Sequence, residues 1–375
     1  MPAAFHLQRR HALLNAGKRR AEPALFRASG QGNDKREDKI ILNTPKPLID
    51  SHGRKITYLR VSITDRCNLR CVYCMPEKGI NPLSHSEIIS YEDILRFVNV
   101  LANHGVNKIR ITGGEPLVRK GLVDFTRNLG KITGITDISM TTNGTLLEKY
   151  AAELYNAGLK RINISLDSLK EDRFRQISRM GNLKDVLMGI KLAQKTGFNP
   201  IKINTVLIKG INDDEIIDFV NFAREFEINL RFIEYMPIGG NITETITSKW
   251  IEEKIRSVFD GFELISGNGY QAVSKEYGFK DSNAVIGFIS PLSEHFCTGC
   301  NRLRLTASGK LRLCLFYDSE YDIKEILSVG RDDEAIFNWV AGLIQLKQDK
   351  HNFSEKAKKP GSLLWANDFM NGIGG

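Results

Sequence analysis

The chain has no cysteine to spare. Its six cysteines fall into two triplets, Cys67, Cys71 and Cys74 in CNLRCVYC and Cys297, Cys300 and Cys314 in CTGCNRLRLTASGKLRLC. None is left for a disulfide framework, which points to a reducing compartment. No apolar run reaches the length that spans a bilayer, so no membrane association is expected. The pattern G-x-x-x-x-G-K-[ST] is missing, which argues against a P-loop nucleotidase, and the first residues lack the apolar core of a secretory signal. There is no low-complexity tract and no duplication longer than one strand–helix unit. What remains, 375 residues with 42% hydrophobic and 26% charged side chains, is an ordinary globular composition with room for one large barrel or two domains.

The formal net charge of +9 is unevenly placed. In the first forty residues Arg9, Arg10, Lys18, Arg19, Arg20, Arg27, Lys35, Arg36 and Lys39 outnumber Glu22, Asp34, Glu37 and Asp38. Residues 1–45 therefore read as a disordered basic extension. The expected location is cytoplasmic, with the mitochondrial matrix as the alternative if this Arg-rich, acid-poor start is a transit peptide. A zinc-bearing nucleic-acid binder would exploit the positive charge. The excess, however, sits in a tail without interleaved aromatics, so no nucleic-acid partner is expected.

From Tyr58 a unit repeats in which a short β-branched run precedes an amphipathic helix. The strands are YLRVSI, KIRIT, DISMTT, RINISL, IKINTVLI and LRFIEY. In YEDILRFVNVLANHG, Ser90 is placed to cap the helix, Asp93 stands where a capping box puts an acid, and Gly105 can close the end. Six such units imply parallel strands with right-handed crossovers. The fold class is therefore α/β, a partial (β/α)6 TIM-type barrel over residues 46–240. Residues 241–375 read as a smaller α+β cluster-binding unit. Function should gather at the carboxyl ends of the strands, where CNLRCVYC, GGEP, TTNG, SLD and EYMP follow the first, second, third, fourth and sixth strands.

Three thiolates can hold three corners of a 4Fe-4S cube and leave one iron open to a small molecule. Zinc is the plainer alternative for a short C-x-x-C loop, more so for the second triplet, where His295 precedes Cys297 by two residues. GGEP, Gly113 to Pro116, allows close backbone approach to a ligand. Arg60, Arg110, Lys202, Arg302 and Arg304 lie in or beside apolar strands, a pattern suited to a buried polyanion such as a nucleoside triphosphate.

The spacing of Cys67, Cys71 and Cys74 after a strand resembles the radical S-adenosylmethionine (SAM) superfamily. Together with RITGGEPLVRKGL, TTNG, RINISLD, KGINDDE, RFIEYMP, FCTGCNRLRLTASGKLRLCLF and the terminal MNGIGG, the chain is similar to the GTP 3',8-cyclase family of molybdenum-cofactor biosynthesis from about Leu48 to Gly375. The resemblance implies two 4Fe-4S clusters, one per triplet, with SAM cleaved at the first and guanine bound at the second. It implies SAM contacts at Tyr73, Gly114, Ser165 and Met236. GTP contacts are implied at Arg60, Arg110, Thr141, Lys202, Arg302, Leu303 and Arg304, and an assisting role for the terminal Gly374 and Gly375. It further implies an electron donor such as flavodoxin or ferredoxin, cyclic pyranopterin monophosphate synthase as the downstream pathway partner, and a homodimer. The competing enzyme reading is a radical SAM peptide-modifying enzyme with an auxiliary cluster.

Overall fold

Every β-branched run singled out above forms a strand. The computed structural model describes residues 46–236, 244–266, 273–328 and 331–351. Six strands come first: β1 (Tyr58–Ser62), β2 (Lys108–Thr112), β3 (Asp137–Thr142), β4 (Arg161–Ser165), β5 (Ile201–Leu207) and β6 (Asn229–Glu234). They pair in sequence order, each parallel to the next.

Helices α1 (Tyr91–Asn103), α2 (Leu122–Leu129), α3 (Leu147–Asn156), α4 (Glu171–Ser178), α5 (Leu183–Thr196) and α6 (Ile216–Glu225) make the crossovers. Their apolar spacing explains the packing. In α1, Ile94, Phe97, Val98 and Leu101 recur at helical period and are fully buried. Ser90 caps that helix as expected: its Oγ accepts from the Asp93 N–H at 3.0 Å and donates to the Asp93 carboxylate at 2.7 Å. Strand alternation decides which side chains face away from the helices. On β5 the burial alternates strictly, so Ile201, Ile203, Thr205 and Leu207 enter the core while Lys202, Asn204 and Val206 line a cavity on the other face.

The strands after Met236 add to both edges of the same sheet, an arrangement the strand–helix period does not announce. The later elements are α7 (Ser248–Arg256), β7 (Glu263–Ser266), β8 (Lys275–Phe279), β9 (Ser282–Ile289), β10 (Arg302–Leu305), β11 (Lys310–Arg312), β12 (Tyr321–Asp322), α8 (Ile323–Ser328) and α9 (Asp333–Ile344). Strand β9 lies parallel to β6 and carries β8 and β7, while β10 lies parallel to β1 and carries β11 and β12. The sheet thus runs β12-β11-β10-β1-β2-β3-β4-β5-β6-β9-β8-β7. Because β1 and β6 pair with these strands and not with each other, the barrel stays open. Stacked and edge-on rings of Phe262, Tyr277, Phe288 and Phe232 bind the added strands to the core. No helix of the described residues is long and apolar enough to cross a membrane.

Candidate active site

Both cysteine triplets open into one cavity of about 580 Å³. The first sits on the loop after β1. The Cys74 N–H donates to the Cys71 carbonyl at 2.9 Å, which closes the turn, and Cys67 Sγ accepts from the Leu69 N–H at 3.4 Å. The loop is held from two sides. Tyr73 donates its phenol proton to Asp167 Oδ2 at 2.6 Å, and Arg70 N–H donates to the Ser178 carbonyl at 3.0 Å. GGEP lies against the start of this loop: Gly114 N–H donates to the Thr64 carbonyl at 2.7 Å and Glu115 N–H to the Arg66 carbonyl at 2.8 Å. A Cβ on Gly114 would stand 2.4 Å from the Arg66 carbonyl oxygen, so the approach requires glycine. Glu115 itself is wholly buried. It accepts from Thr142 Oγ1 at 2.7 Å and from the Asn143 N–H at 2.6 Å, tying GGEP to TTNG.

The second triplet faces the same space from the far end. The Cys300 N–H donates to the Cys297 carbonyl at 3.0 Å, and Cys314 Sγ accepts from the Phe316 N–H at 3.5 Å. Burial pushes the Cys300 thiol up, but Lys347, Arg302 and Arg54 outweigh it and bring the pKa down to about 7. Arg54, itself buried and paired with Asp50 at 2.6 Å, donates to the carbonyls of Cys297, Gln348 and Asp349 at 2.8–2.9 Å. It therefore fastens the cysteine loop to the segment after α9. Glu234 at the end of β6 does similar work, accepting from the Leu292 and Ser293 N–H groups at 2.7 and 3.1 Å. His295, Cys297 and His351 bring potential ligand atoms within 4.8 Å of one another. His351 is kept neutral, its pKa lowered to about 4 by burial and then by His295, and its Nε2 donates to the Pro291 carbonyl at 3.0 Å.

Between the triplets the sheet presents cations in register. Arg304, Arg60, Arg110, Ser139 and Arg161 are successive partners across β10, β1, β2, β3 and β4. Arg302, Tyr58 and Lys108 form the next row. Burial, then Arg304, pulls the Arg60 pKa well down; burial, then Arg302, brings Arg304 to about 10; burial, then Arg231, brings Lys202 to about 8. Each depression has the same origin, cations taken from water and crowded together. Several polar atoms facing this region are buried without a partner, among them Arg161 Nε, Arg231 Nε, Arg302 Nε, Tyr58 OH and Thr141 Oγ1. Orphaned donors around a cationic cavity suit a polyanion that brings acceptors of its own.

Two family descriptions match the chain in tandem: the Radical SAM superfamily over residues 61–223 and Molybdenum Cofactor Synthesis C over residues 228–353. A GTP 3',8-cyclase of Thermodesulfovibrio yellowstonii is 49% identical over 320 residues, covering 84% of this chain and 99% of that one. A GTP 3',8-cyclase of Moorella thermoacetica is 45% identical over 316 residues, covering 83% and 97%. The chain belongs to the GTP 3',8-cyclase family. Among solved structures, Streptococcus suis SuiB bound to S-adenosylmethionine shares the fold, with a TM-score of 0.55 and 17% identity over 84% of this chain and 73% of that one.

As a radical SAM enzyme, a member of this family works with SAM and an iron–sulfur cluster. The first triplet fits such a cluster. Burial raises the Cys71 pKa strongly, and Cys74, Asp167 and Cys67 add repulsion, so a Cys71 thiolate is favoured beside a positive centre. The Leu69 N–H on Cys67 Sγ is a hydrogen bond of the kind that cluster thiolates receive.

Of the site residues named from the sequence, Tyr73, Gly114, Ser165, Met236, Arg60, Arg110, Thr141, Lys202, Arg302, Arg304 and all six cysteines line the cavity. Leu303 does not: between two lining arginines, strand alternation turns its side chain into the core. Gly374 and Gly375 lie outside the described residues. Lys108, Arg161, Arg231, Asp167 and Glu276 also line the cavity and were missed. For Lys108, Arg161 and Arg231 the signal was present, since each is a cation in a strand at the period of Arg60 and Arg110.

Proposed function

We propose that this chain converts GTP to (8S)-3',8-cyclo-7,8-dihydro-GTP, the first step of molybdenum-cofactor biosynthesis, with a 4Fe-4S cluster on each cysteine triplet. The observation that carries the reading is the opening of both triplets, with a row of half-buried guanidinium groups between them, into one cavity. When bound, the first cluster and SAM would supply one electron and the carbon radical that takes the hydrogen from ribose C3', and closing the dihydro product would take one further electron from the external donor and one proton from solvent. The chain's own residues position the reactants. Cys67, Cys71 and Cys74 hold the first cluster, and Gly114, Tyr73, Ser165 and Met236 hold SAM beside it. Cys297, Cys300 and Cys314 hold the second cluster at the guanine end. Arg60, Arg110, Thr141, Lys202, Arg302 and Arg304 hold the nucleotide so that C3' faces the SAM end and guanine C8 lies within bonding reach of C3'. A site that excludes water protects the radicals, and no strong base is required of any side chain.

In this reading residues 46–240 serve SAM and residues 241–375 serve the guanine, and Gly374 and Gly375 assist the radical step. An electron donor such as flavodoxin or ferredoxin, cyclic pyranopterin monophosphate synthase as the next enzyme, a homodimer and a cytoplasmic location complete it, the last supported by bacterial relatives. The test is anaerobic purification with iron, sulfide and zinc analysis, then incubation with SAM, GTP and dithionite. Two four-iron cubes require about eight irons per chain and a GTP-derived cyclised product. Iron nearer four with zinc present would return the second triplet to a structural metal.

A further inference from the structure

Lys202 and Arg231 already hold an anion. Glu276 Oε1 lies 3.7 Å from Lys202 Nζ and 3.4 Å from Arg231 Nη2, and all three side chains line the cavity. Register builds this contact. Arg231 on β6 stands beside Gly287 on β9, which stands beside Glu276 on β8. A Cβ at position 287 would fall 3.2 Å from Arg231 Cγ and 2.3 Å from Ser274 Oγ. Glycine there leaves an open path over the middle strand, through which guanidinium and carboxylate meet. Arg110 bears on both Lys202 and Arg231, and Arg161 bears on Lys202. Arg161 has its own partner, Asp137, at 3.1 Å. Among the described residues, Glu276 is the acid that answers Lys202 and Arg231.

We infer that Glu276 is an internal counter-ion that occupies the place of a phosphate oxygen and is exchanged for the polyphosphate of the substrate on binding. The inference rests on the reading of the cavity as a GTP site and adds the residue that sets how tightly the polyphosphate is held. Before a nucleotide arrives, the carboxylate keeps two half-buried cations from repelling each other and holds them pointing at one spot. When the triphosphate enters, the same cations meet stronger acceptors, and a carboxylate left nearby repels the phosphate oxygens. The Glu276 side chain is 26% exposed, enough to swing aside and to return. Its return favours release of a product that carries the same triphosphate charge as the substrate.

The test compares wild type, E276Q and E276D as full chains purified anaerobically, titrated by calorimetry with inorganic tripolyphosphate, GTP and guanosine, each with magnesium and with chelator. Glutamine keeps the shape and removes the charge. The expected result for E276Q is about tenfold tighter binding of tripolyphosphate and GTP, or about 1.4 kcal/mol, with guanosine unchanged and E276D close to wild type. Unchanged or weaker phosphate binding by E276Q, while wild type binds normally, overturns the inference alone. Weakening confined to the magnesium arm also overturns it, because Glu276 would then be a metal ligand. Failure of wild type to bind either GTP or tripolyphosphate overturns the inference together with the reading beneath it.

Discussion

Replacing Gly114 by alanine should separate the two halves of the reaction. The added Cβ would lie 2.4 Å from the Arg66 carbonyl oxygen, 2.6 Å from its carbon and 2.8 Å from the Asp65 oxygen, all backbone atoms. Ordinary contact begins near 3.4 Å, so the GGEP turn must retreat by about 1 Å from the loop that carries Cys67. That retreat breaks or strains the hydrogen bonds from Gly114 to Thr64 and from Glu115 to Arg66, now 2.7 and 2.8 Å. Two such bonds are worth about 2–3 kcal/mol together, which lowers the melting temperature by roughly 5 °C in a domain of this size. A displacement of about 1 Å in a positioning element costs about a hundredfold in rate. Arg110 lies earlier on β2 and Arg60 on β1, both inside the paired sheet, so the retreat of the turn beyond β2 leaves the row of guanidinium groups in place. The assay is 5'-deoxyadenosine formation with dithionite, beside GTP titration of the same preparation and thermal unfolding. G114A should lose about a hundredfold in SAM cleavage while holding GTP as wild type does. Wild-type cleavage at a wild-type melting temperature would refute the argument from close approach.

Three further outcomes follow from the same geometry. C71A and C300A should each lose about half of the iron, as removal of one of two equal clusters requires. C71A should abolish 5'-deoxyadenosine formation, whereas C300A should retain it and lose the cyclised product; full iron in C300A would remove the second cluster from the account. R54M breaks the buried pair with Asp50 and the three carbonyl contacts that fasten the second cysteine loop. It should cost about 3–5 kcal/mol and lower the iron of the second triplet before the first, and a stable R54M with full iron would contradict this. Lys202 is charged below its lowered pKa of about 8 and neutral above it. Since the charged form binds phosphate, KM for GTP should rise above about pH 8 while kcat holds, and K202R, which stays charged, should lose that limb; identical profiles for the two would disprove the assignment.

Much of the fold could be read before any coordinates because its signals are local. The β-branched runs from YLRVSI to LRFIEY sit between amphipathic helices, the first of them capped by Ser90, and the first cysteine triplet follows a strand directly, so strand ends and function coincide in the chain. Arg60 and Arg110 were recognisable as cations inside apolar strands. Long-range register was not legible. That β9 and β10 flank the six-stranded core follows from hydrophobic edges finding each other over many residues, and so the chain of contacts from Arg231 through Gly287 to Glu276 has no sequence signature. Arg54 reaches the Cys297 carbonyl across 243 positions, and nothing near Arg54 in the chain hints at it. For Leu303 a local rule does apply: period two sets its side chain apart from those of Arg302 and Arg304 and turns it into the core.

The central claim is that one cavity holds SAM at the first triplet and GTP at the second, with ribose C3' turned toward the SAM end. It is tested most directly by a single turnover with GTP deuterated only at C3'. The account predicts that 5'-deoxyadenosine gains one mass unit as the cyclised nucleotide forms. Unlabelled 5'-deoxyadenosine accompanied by a product that keeps its deuterium would contradict it.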